Sequence, residues 1–182
     1  MGRFARYRCI CKHPLFHSDY KKDSAMLDRG QRQPERMVEL GHYVLYVRNA
    51  EPMAEFYSTI LGLEKVGDTF GGRAVALTGG RTHHELLLIE VGNAPGPLRG
   101  QRLGLYHTGW CIGDHDDQLR EALARCQQHG VKIQGLTDHG VSHSLYIDDP
   151  EGNELELYVD VPEFDWKNRD DWLEHPVRPL HL

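Results

Sequence analysis

The sequence predicts an α+β fold in which two βαβββ modules pair around a cup. Three observations favour this fold. A strand–helix–strand–strand–strand order occurs twice along the 182 residues, over 38–97 and again over 103–162. A histidine stands in the first strand of each module, His42 in one and His107 in the other. A four-stranded sheet of this kind also leaves one face bare, so two such modules would pair to cover it.

The first module opens with an aromatic and β-branched run, VELGHYVLYVRN (38–49), which is typical of a strand. Its helix is predicted over EPMAEFYSTILGL (51–63), because apolar residues recur at helical spacing, Pro52 stands in the first turn and Gly62 follows as a stop. Gly-Gly pairs suited to tight turns separate the strands that follow. These three strands are predicted at 64–70, 73–79 and 83–91.

The second module repeats this order. A strand is predicted over 104–113, and DHDDQLREALARCQQHG (114–130) predicts an amphipathic helix with acidic residues first and Gly130 last. Three further strands complete the module, and they are predicted at 131–140, 142–149 and 153–160.

The segments outside the two modules lack the periodicity of a packed element. Residues 1–37 mix charged and polar side chains and are interpreted as an N-terminal extension. Residues 163–182 form a C-terminal tail rich in proline and charge, and its Trp166 and Trp172 are expected to pack over the domain or at a subunit contact. The domain itself is therefore predicted to span 38–162.

The composition is that of a soluble globular protein. Hydrophobic residues make up 40% and charged residues 26% of the chain, which are ordinary values for this class. The net charge of −6 argues against a nucleic-acid groove, which would need a basic face. No apolar run reaches the roughly 20 residues of a membrane span. Cys111 and Cys126 stand singly in apolar segments and are interpreted as reduced, so a cytoplasmic protein is expected.

Side-chain alternation predicts that His42, His107 and Glu156 point into the cup. In the first strand of each module, the face opposite the histidine carries the bulky residues that can pack under a helix. Each residue taken alone is as typical of a solvated or core position, but the two histidines occupy matching positions in the repeat. Two imidazoles and a carboxylate that converge form a facial triad with open positions, a set typical of non-haem Fe(II) or a similar divalent ion.

Two stretches carry a family resemblance. AEFYSTILGLEKV (54–66) resembles the first helix, and DDPEGNELELY (148–158) the final turn and strand, of the vicinal oxygen chelate superfamily. This superfamily includes glyoxalase I, bleomycin-resistance proteins and extradiol ring-cleaving dioxygenases. The resemblance covers 38–162 and implies the glyoxalase/bleomycin resistance/dihydroxybiphenyl dioxygenase fold, in which two βαβββ modules form a metal-bearing cup. It also implies that Glu156 is a metal ligand.

A longer stretch, TDHGVSHSLYIDDPEGNELE (137–156), resembles the extradiol dioxygenase signature. That signature has a histidine several residues before an aliphatic–Tyr pair, then an acidic–Pro–x–Gly turn and the ligand glutamate. His139 and Tyr146 occupy the histidine and tyrosine positions. The resemblance implies that these two residues orient the substrate hydroxyls or accept a proton.

The first module lacks a second carboxylate at the matching place. Aligning the last strands of the two modules puts Leu87 where Glu156 stands. Glyoxalase I uses a carboxylate near this point as a fourth ligand, whereas the dioxygenases use three ligands and leave positions for a catecholate and O₂. Glu85 or Glu90 could replace Leu87 only in a shifted register.

The resemblance also implies that a histidine near this strand takes part in the oxygen chemistry. In the dioxygenases a histidine stands three residues before the Leu87 position, where this chain has His84. Simple alternation from Leu87 would instead point His83 inward, and a small bulge would reconcile the two. The choice between them stays open, with His84 favoured.

The resemblance implies an Fe(II)-dependent extradiol dioxygenase, similar to catechol 2,3-dioxygenase, that cleaves a small catechol-type aromatic substrate with O₂. Mn(II), Zn(II) and Ni(II) are alternative metals. The alternative functions are another metal-dependent superfamily enzyme (a glyoxalase or lyase, an epimerase or a thiol transferase) and a metal-free drug-binding resistance protein. No nucleic-acid or membrane partner is expected. A homodimer is expected, because some superfamily members share strands between subunits.

Overall fold

A computed structural model describes residues 39–97, 100–101, 103–168 and 171–182 of the chain. The extension predicted over residues 1–37 lies outside them. The described residues form the predicted order of elements twice, followed by a short 3₁₀ helix and a final strand. The elements are β1 (Tyr43–Val47), α1 (Ala50–Leu61), β2 (Glu64–Thr69), β3 (Ala74–Thr78), β4 (Leu86–Glu90), β5 (His107–Gly113), α2 (Asp116–Gln128), β6 (Ile133–Asp138), β7 (Ser142–Asp148), β8 (Glu154–Asp160), the 3₁₀ helix (Asp171–Glu174) and β9 (Arg178–Pro179).

Each module forms its own sheet, and its first strand lies at an edge. The strand order is β1-β4-β3-β2 in the first sheet and β5-β8-β7-β6-β9 in the second. In both sheets the first and last strands of the module run parallel and the remaining pairs antiparallel. The register also agrees, because Leu87 lies opposite Val44 as Glu156 lies opposite Gly109. The two predicted βαβββ modules are thereby confirmed.

One hydrophobic core joins the modules. Helices α1 and α2 contact each other, and the core takes buried residues from both helices and from the sheet faces behind them. Trp110 of β5 packs edge-on against Tyr43 of β1, with ring centroids 5.7 Å apart. Arg125 Nε in α2 donates a 2.9 Å hydrogen bond to the Ile60 carbonyl in α1. These contacts fix the position of one module relative to the other.

The opposite face of each sheet lies outside this core, and we call it the cup face. On the cup face of β1, Val44 is 44% exposed and Tyr46 is 72% exposed, whereas Val47 points into the core and is buried. On the cup face of β5, Gly109 and Cys111 are exposed. The predicted alternation is present within both first strands, but His42, predicted to lie in the first of them, precedes β1, which begins at Tyr43. Among the described residues, the edge strands β1 and β5 are thus exposed on their cup faces, whereas Ser144 on β7 is buried.

Local sequence explains where the first helix begins and ends. Helix α1 starts after Asn49, whose backbone is extended, and Pro52 occupies the first turn, where its missing N–H breaks no helical hydrogen bond. The helix ends at Gly62, which has φ +77° and donates its N–H to the Ser58 carbonyl. A left-handed residue at this point is a common helix end, and glycine adopts it without steric cost.

The C-terminal tail adds a strand that the sequence did not predict. Strand β9 pairs antiparallel with β6, with Thr137 opposite Pro179, and Leu180 and Leu182 pack against the core. Trp166, predicted to pack over the domain or at a subunit contact, is 54% exposed in the chain. Within the described residues, no helix is both long enough and apolar enough to cross a membrane.

Candidate metal centre

The second module brings two predicted ligands together on its cup face. His107 is the first residue of β5 and pairs with Glu154 of β8, and Glu156 follows two residues later on the same face. His107 Nε2 lies 3.1 Å from Glu156 Oε2. The side chains are 25% and 16% exposed. An imidazole nitrogen and a carboxylate oxygen thus face the same small space.

A hydrogen-bond network orients the carboxylate. The Ser144 hydroxyl donates to Glu156 Oε1 over 2.7 Å, and the Tyr146 hydroxyl donates to the same oxygen over 2.8 Å. Oε2 is left facing His107. His139 Nε2 lies 3.0 Å from the Tyr146 oxygen. Because the one proton of Tyr146 goes to Glu156, His139 donates from Nε2. His139, Tyr146 and Glu156 therefore form a continuous hydrogen-bonded chain.

Burial favours the uncharged form of His139. Partial burial, together with the neighbouring His107 and His175, lowers the pKa of His139 below the ordinary histidine value, against the opposing effect of Glu156 and Asp138. A histidine with a lowered pKa is neutral at physiological pH and can accept a proton. The chain of hydrogen bonds therefore begins at a potential base.

The geometry of the pair fits a divalent ion. Two ligands that each lie about 2.1 Å from an ion, at a right angle, are about 3 Å apart, which is close to the separation of His107 and Glu156. His107 Nδ1 is buried and has no hydrogen-bond partner among the described residues, and Glu154 Oε1 lies 3.6 Å away. A Cβ at Gly109 would lie 3.7 Å from Glu156 Oε2, which is an ordinary van der Waals contact.

The first module holds the third predicted ligand in a separate cluster. The ring centroids of His42 and His84 are 4.5 Å apart, and those of His84 and His83 are 4.4 Å apart. The strand predicted over 83–91 begins only at Leu86, so both histidines lie in the preceding loop, where strand alternation does not apply. His84 is partly buried and His83 is exposed. The structure thus brings His84, and not the ring of His83, against His42.

Neither Glu85 nor Glu90 replaces Leu87 as a carboxylate beside His42. The shared register confirms that Leu87 occupies the position of Glu156. Glu90 accepts a 3.1 Å hydrogen bond from the Ala50 N–H at the start of α1. Glu85 closes the loop before β4 by accepting hydrogen bonds from three backbone N–H groups and one hydroxyl, those of Gly79, Arg81, Thr82 and Thr78. Both glutamates are thus engaged in structural contacts.

Electrostatics agree with this structural role of Glu85. Burial alone would raise the pKa of Glu85, but the hydrogen bonds from Gly79, Thr78 and Thr82 outweigh it and lower the pKa. The loop is therefore built around an ionised carboxylate.

The three predicted ligands do not meet within a single chain. His107 and Glu156 lie together, whereas His42 lies with His84. Across the described ranges, no three His, Cys, Asp or Glu side chains are close enough to hold one metal ion. Within the described residues, His107 and Glu156 therefore form one cluster, and His42 and His84 form another.

Three residues of the centre were not predicted from the sequence. Ser144 stands two residues before Tyr146, and Glu154 two residues before Glu156, so each shares a face with a predicted residue. Alternation could have found both. His175 comes from the tail, where nothing in the sequence marked it.

His175 covers the end of the centre at which His139 lies. A Cβ at Gly140 would approach the His175 ring to 2.8 Å, and Gly140 has φ +79°, so only glycine fits beneath this ring. The pairing of β9 with β6 holds the tail in this place. His175 Nδ1 is buried without a hydrogen-bond partner in the part of the chain that the structure describes.

Comparisons with known proteins identify the family. Residues 39–157 match the Glyoxalase/Bleomycin resistance protein/Dioxygenase superfamily. The chain is 34% identical over 128 residues to catechol-2,3-dioxygenase of Bacillus subtilis (strain 168), a match that covers 70% of this chain and 44% of that protein. It is 30% identical over 122 residues to biphenyl-2,3-diol 1,2-dioxygenase 2 of Rhodococcus globerulus, covering 67% of this chain and 63% of the relative. The chain thus spans less than two thirds of either relative.

A solved structure shows the same fold. A glyoxalase/dioxygenase from Nostoc punctiforme superposes with a TM-score of 0.60 at 20% identity, over 71% of this chain and 96% of that one. The family match covers more than half of the chain, and the two βαβββ modules have the expected strand order and register. The chain therefore belongs to the glyoxalase/bleomycin resistance protein/dioxygenase superfamily.

Proposed function

We propose that the protein is an Fe(II)-dependent extradiol dioxygenase that opens a catechol-type aromatic ring with O₂. The observation that carries the proposal is the hydrogen-bonded chain from His139 through Tyr146 to Glu156, which lies beside His107. It joins a potential base to a potential metal ligand in the space where a substrate hydroxyl would bind. The names of the two dioxygenase relatives support the same chemistry.

His42, His107 and Glu156 would hold the metal in this proposal. A divalent ion with one carboxylate ligand retains a net positive charge, which favours an anionic catecholate over a neutral molecule. Bound Fe(II) would supply the coordination positions and the redox chemistry for the substrate and O₂. Leu87 contributes no ligand, so those positions stay open.

His139 and Tyr146 would prepare the substrate. A catechol gives up a proton when it binds as a chelating anion, and the uncharged imidazole of His139 can accept that proton at Nδ1, because Nε2 already donates to Tyr146. Tyr146 is hydrogen-bonded to His139 and to Glu156, so its hydroxyl is held in place to orient the substrate oxygen. The lowered pKa of His139 keeps the base form available at and somewhat below neutral pH.

His84 would act on the oxygen side of the reaction. Its ring lies against His42 and is partly buried. Burial, together with His83 and His42, lowers the pKa of His84, while Glu85 opposes this effect. The neutral imidazole can accept or donate a hydrogen bond next to the metal and can transfer a proton during ring opening.

The cup face of the first module would contact the aromatic ring. Val44 and Leu87 pair across β1 and β4, and Tyr46 and Ile89 form the next pair on the same face. An apolar wall opposite a wall that bears a metal and hydrogen-bonding groups suits a molecule with a hydrocarbon side and two adjacent hydroxyls. The proposed substrates are therefore small catechols.

Oxygen uptake tests this proposal. The protein is reconstituted anaerobically with Fe(II), mixed with catechol, 3-methylcatechol or 2,3-dihydroxybiphenyl, and followed by O₂ consumption and by the yellow absorbance of ring-fission products. We expect uptake matched to yellow product, lost in His107→Ala and kept in His181→Ala, a variant of an exposed histidine in the tail. Iron-loaded protein that binds these catechols without consuming O₂ would show that the proposed ring cleavage is wrong.

A further inference from the structure

We propose that Arg81 is a positioning residue that holds His42 against His84 in the first module. Arg81 lies in the loop between β3 and β4, and it acts through the two histidines rather than on the metal or the substrate. This role rests on the proposed function, in which His42 binds the metal and His84 transfers a proton. It adds a residue that takes no part in the chemistry but on which that cluster depends.

The strand ladder of the first sheet does not include either histidine. The pairing of β1 with β4 begins at Tyr43 and Leu86, so His42 lies just before the ladder. His84 lies in the loop that precedes β4. The two rings nevertheless lie with their centroids 4.5 Å apart. A contact between two segments outside the ladder needs other hydrogen bonds to fix its geometry.

Arg81 supplies such hydrogen bonds directly before His42. Its Nη2 donates to the Leu40 carbonyl oxygen and to the Gly41 carbonyl oxygen, each over 2.9 Å. These two peptide groups immediately precede His42 in the chain. The guanidinium group therefore fixes the backbone from which the His42 side chain projects.

The loop that contains Arg81 also carries His84, so the same contacts join the two histidines. The Tyr43 N–H donates to the Glu85 carbonyl over 3.0 Å, which bonds this loop to the chain directly after His42. The backbone N–H of Arg81 donates to Glu85 Oε1 over 3.1 Å, and its Nε lies 3.7 Å from the same oxygen. The loop is thus bonded to the chain on both sides of His42.

These contacts require a guanidinium group. Its N–H groups point in fixed directions within one plane, so Nη2 can reach two successive carbonyls while Nε faces a carboxylate and Nη1 lies 3.6 Å from Glu39 Oε1. A lysine keeps the charge but has one nitrogen, which cannot occupy these positions together. The Arg81 side chain is 49% exposed, so water screens its charge. We therefore expect the effect of Arg81 to depend on hydrogen-bond geometry more than on charge.

Histidine NMR of the metal-free protein tests this role. The ring signals are assigned with His42→Gln and His84→Gln, and the nuclear Overhauser contact between the two rings is measured. We expect the contact in the wild type and its loss in Arg81→Gln and in Arg81→Lys. Persistence of the contact in Arg81→Gln would overturn the inference. Full persistence in Arg81→Lys would show that a positive charge is sufficient and would overturn it as well.

A matched arginine and the second module supply the controls. Arg120 lies on α2 with a side chain that is 50% exposed, and Arg120→Gln should keep the contact between the two rings. The ring signals of His107 and His139 should be unchanged in every arginine variant, which shows that the second module is folded. Changes at all the histidines in Arg81→Gln and Arg81→Lys alike would mean that Arg81 supports the whole fold, and would overturn the specific role.

Titration with Co(II), followed by visible absorbance, separates this inference from the proposed function. Loss of a partner that orients a metal ligand costs about 10–100-fold in affinity. Because Arg81 acts through the backbone, we expect the lower end, about tenfold weaker Co(II) binding in Arg81→Gln and no change in Arg120→Gln. Loss of the ring contact with unchanged Co(II) affinity would support the role of Arg81 and contradict His42 as a metal ligand.

Discussion

The two modules have the same topology and nearly opposite chemistry. Their strands pair in the same order and register, so His42 corresponds to His107 and Leu87 to Glu156. The residues that neighbour these positions across the sheet also differ, since Ala76 lies opposite Leu87 and Tyr146 lies opposite Glu156. The first module thus offers an apolar wall with imidazoles, and the second offers a carboxylate with its hydrogen-bonding partners.

A pair of equivalent glutamates shows how one position acquires two functions. Glu85 directly precedes Leu86, and Glu154 directly precedes Leu155. Each of these buried leucines pairs with the residue that follows the histidine of its module, Tyr43 in the first and Thr108 in the second. Glu154 lies 3.6 Å from His107 Nδ1, whereas Glu85 accepts hydrogen bonds from its own loop. The position of a residue in the backbone determines which atoms its side chain can reach. The neighbours of that side chain decide whether it lies beside His107 or holds the loop before β4.

The largest effect is expected when the second module is made like the first. Glu156→Leu removes the one anionic ligand and leaves Ser144 and Tyr146 without their acceptor. Loss of outer partners of a metal ligand costs about 10–100-fold in affinity, so loss of the ligand itself should cost more than about 100-fold. Metal analysis and O₂ uptake should both fall to background. Glu163→Gln, at an exposed site, is the control and should behave as wild type.

The reverse change should block the reaction and keep the metal. Leu87→Glu places a carboxylate at the position equivalent to Glu156, where it can take a coordination position that the substrate needs. We expect metal content at or above the wild-type level and O₂ uptake lowered by at least about tenfold. Leu87→Met keeps size and polarity and serves as the control. Full activity in Leu87→Glu would mean that this face does not lie at the metal.

The two histidines of the loop before β4, His83 and His84, are expected to differ in function. His84→Gln is expected to lower kcat by about 100-fold, because proton transfer by a positioned side chain contributes 10²–10⁴-fold. His83 is exposed but lies within hydrogen-bond distance of His84, so His83→Gln should lower kcat by less than His84→Gln does. The KM for the catechol and the iron content should be unchanged in both. A larger loss in His83→Gln than in His84→Gln would reverse the assignment.

The smallest effect is expected at the loop carboxylate, and it should depend on pH. Glu85→Gln weakens hydrogen bonds to a charged acceptor and should lower the free energy of unfolding of the metal-free protein by about 1–2 kcal/mol at pH 7. The pKa of Glu85 is lowered from 4.5 in the folded state, so the unfolded state binds more protons at acidic pH. The difference from wild type should therefore be full above that value and shrink as the pH falls below it.

Urea unfolding at several pH values measures this difference. Glu154→Gln is the matched variant in the second module, and it should lower iron affinity far less than Glu156→Leu does, because Glu154 Oε1 lies 3.6 Å from His107 Nδ1, too far for a hydrogen bond. A pH-independent difference for Glu85→Gln would contradict the structural role assigned to that carboxylate.

The sequence was sufficient to predict the two modules, but not where the candidate site residues lie relative to one another. Alternation in β5 and β8 identified His107 and Glu156, because a strand's period of two fixes which side chains share a face. Side-chain alternation does not show which surface that face packs against, because another part of the same chain or a second chain could cover it. The separation of His42 from Glu156 was therefore not predictable.

Two local features were not predicted from the sequence, for related reasons. His83 and His84 were assigned to a strand, yet β4 begins at Leu86, since strand boundaries depend on pairing partners that the local sequence does not show. His175 reaches the centre only because β9 pairs with the free edge of β6. Such a contact between distant segments leaves no periodic pattern in either one.

Iron anomalous scattering from crystals of the Fe(II)-loaded protein tests the central claim most directly, which is that the two modules supply complementary halves of one metal centre. The account predicts one iron per chain, bonded to His42, His107 and Glu156. Iron bound within one chain by His107, Glu156 and His139, with His42 remote from it, would contradict the account.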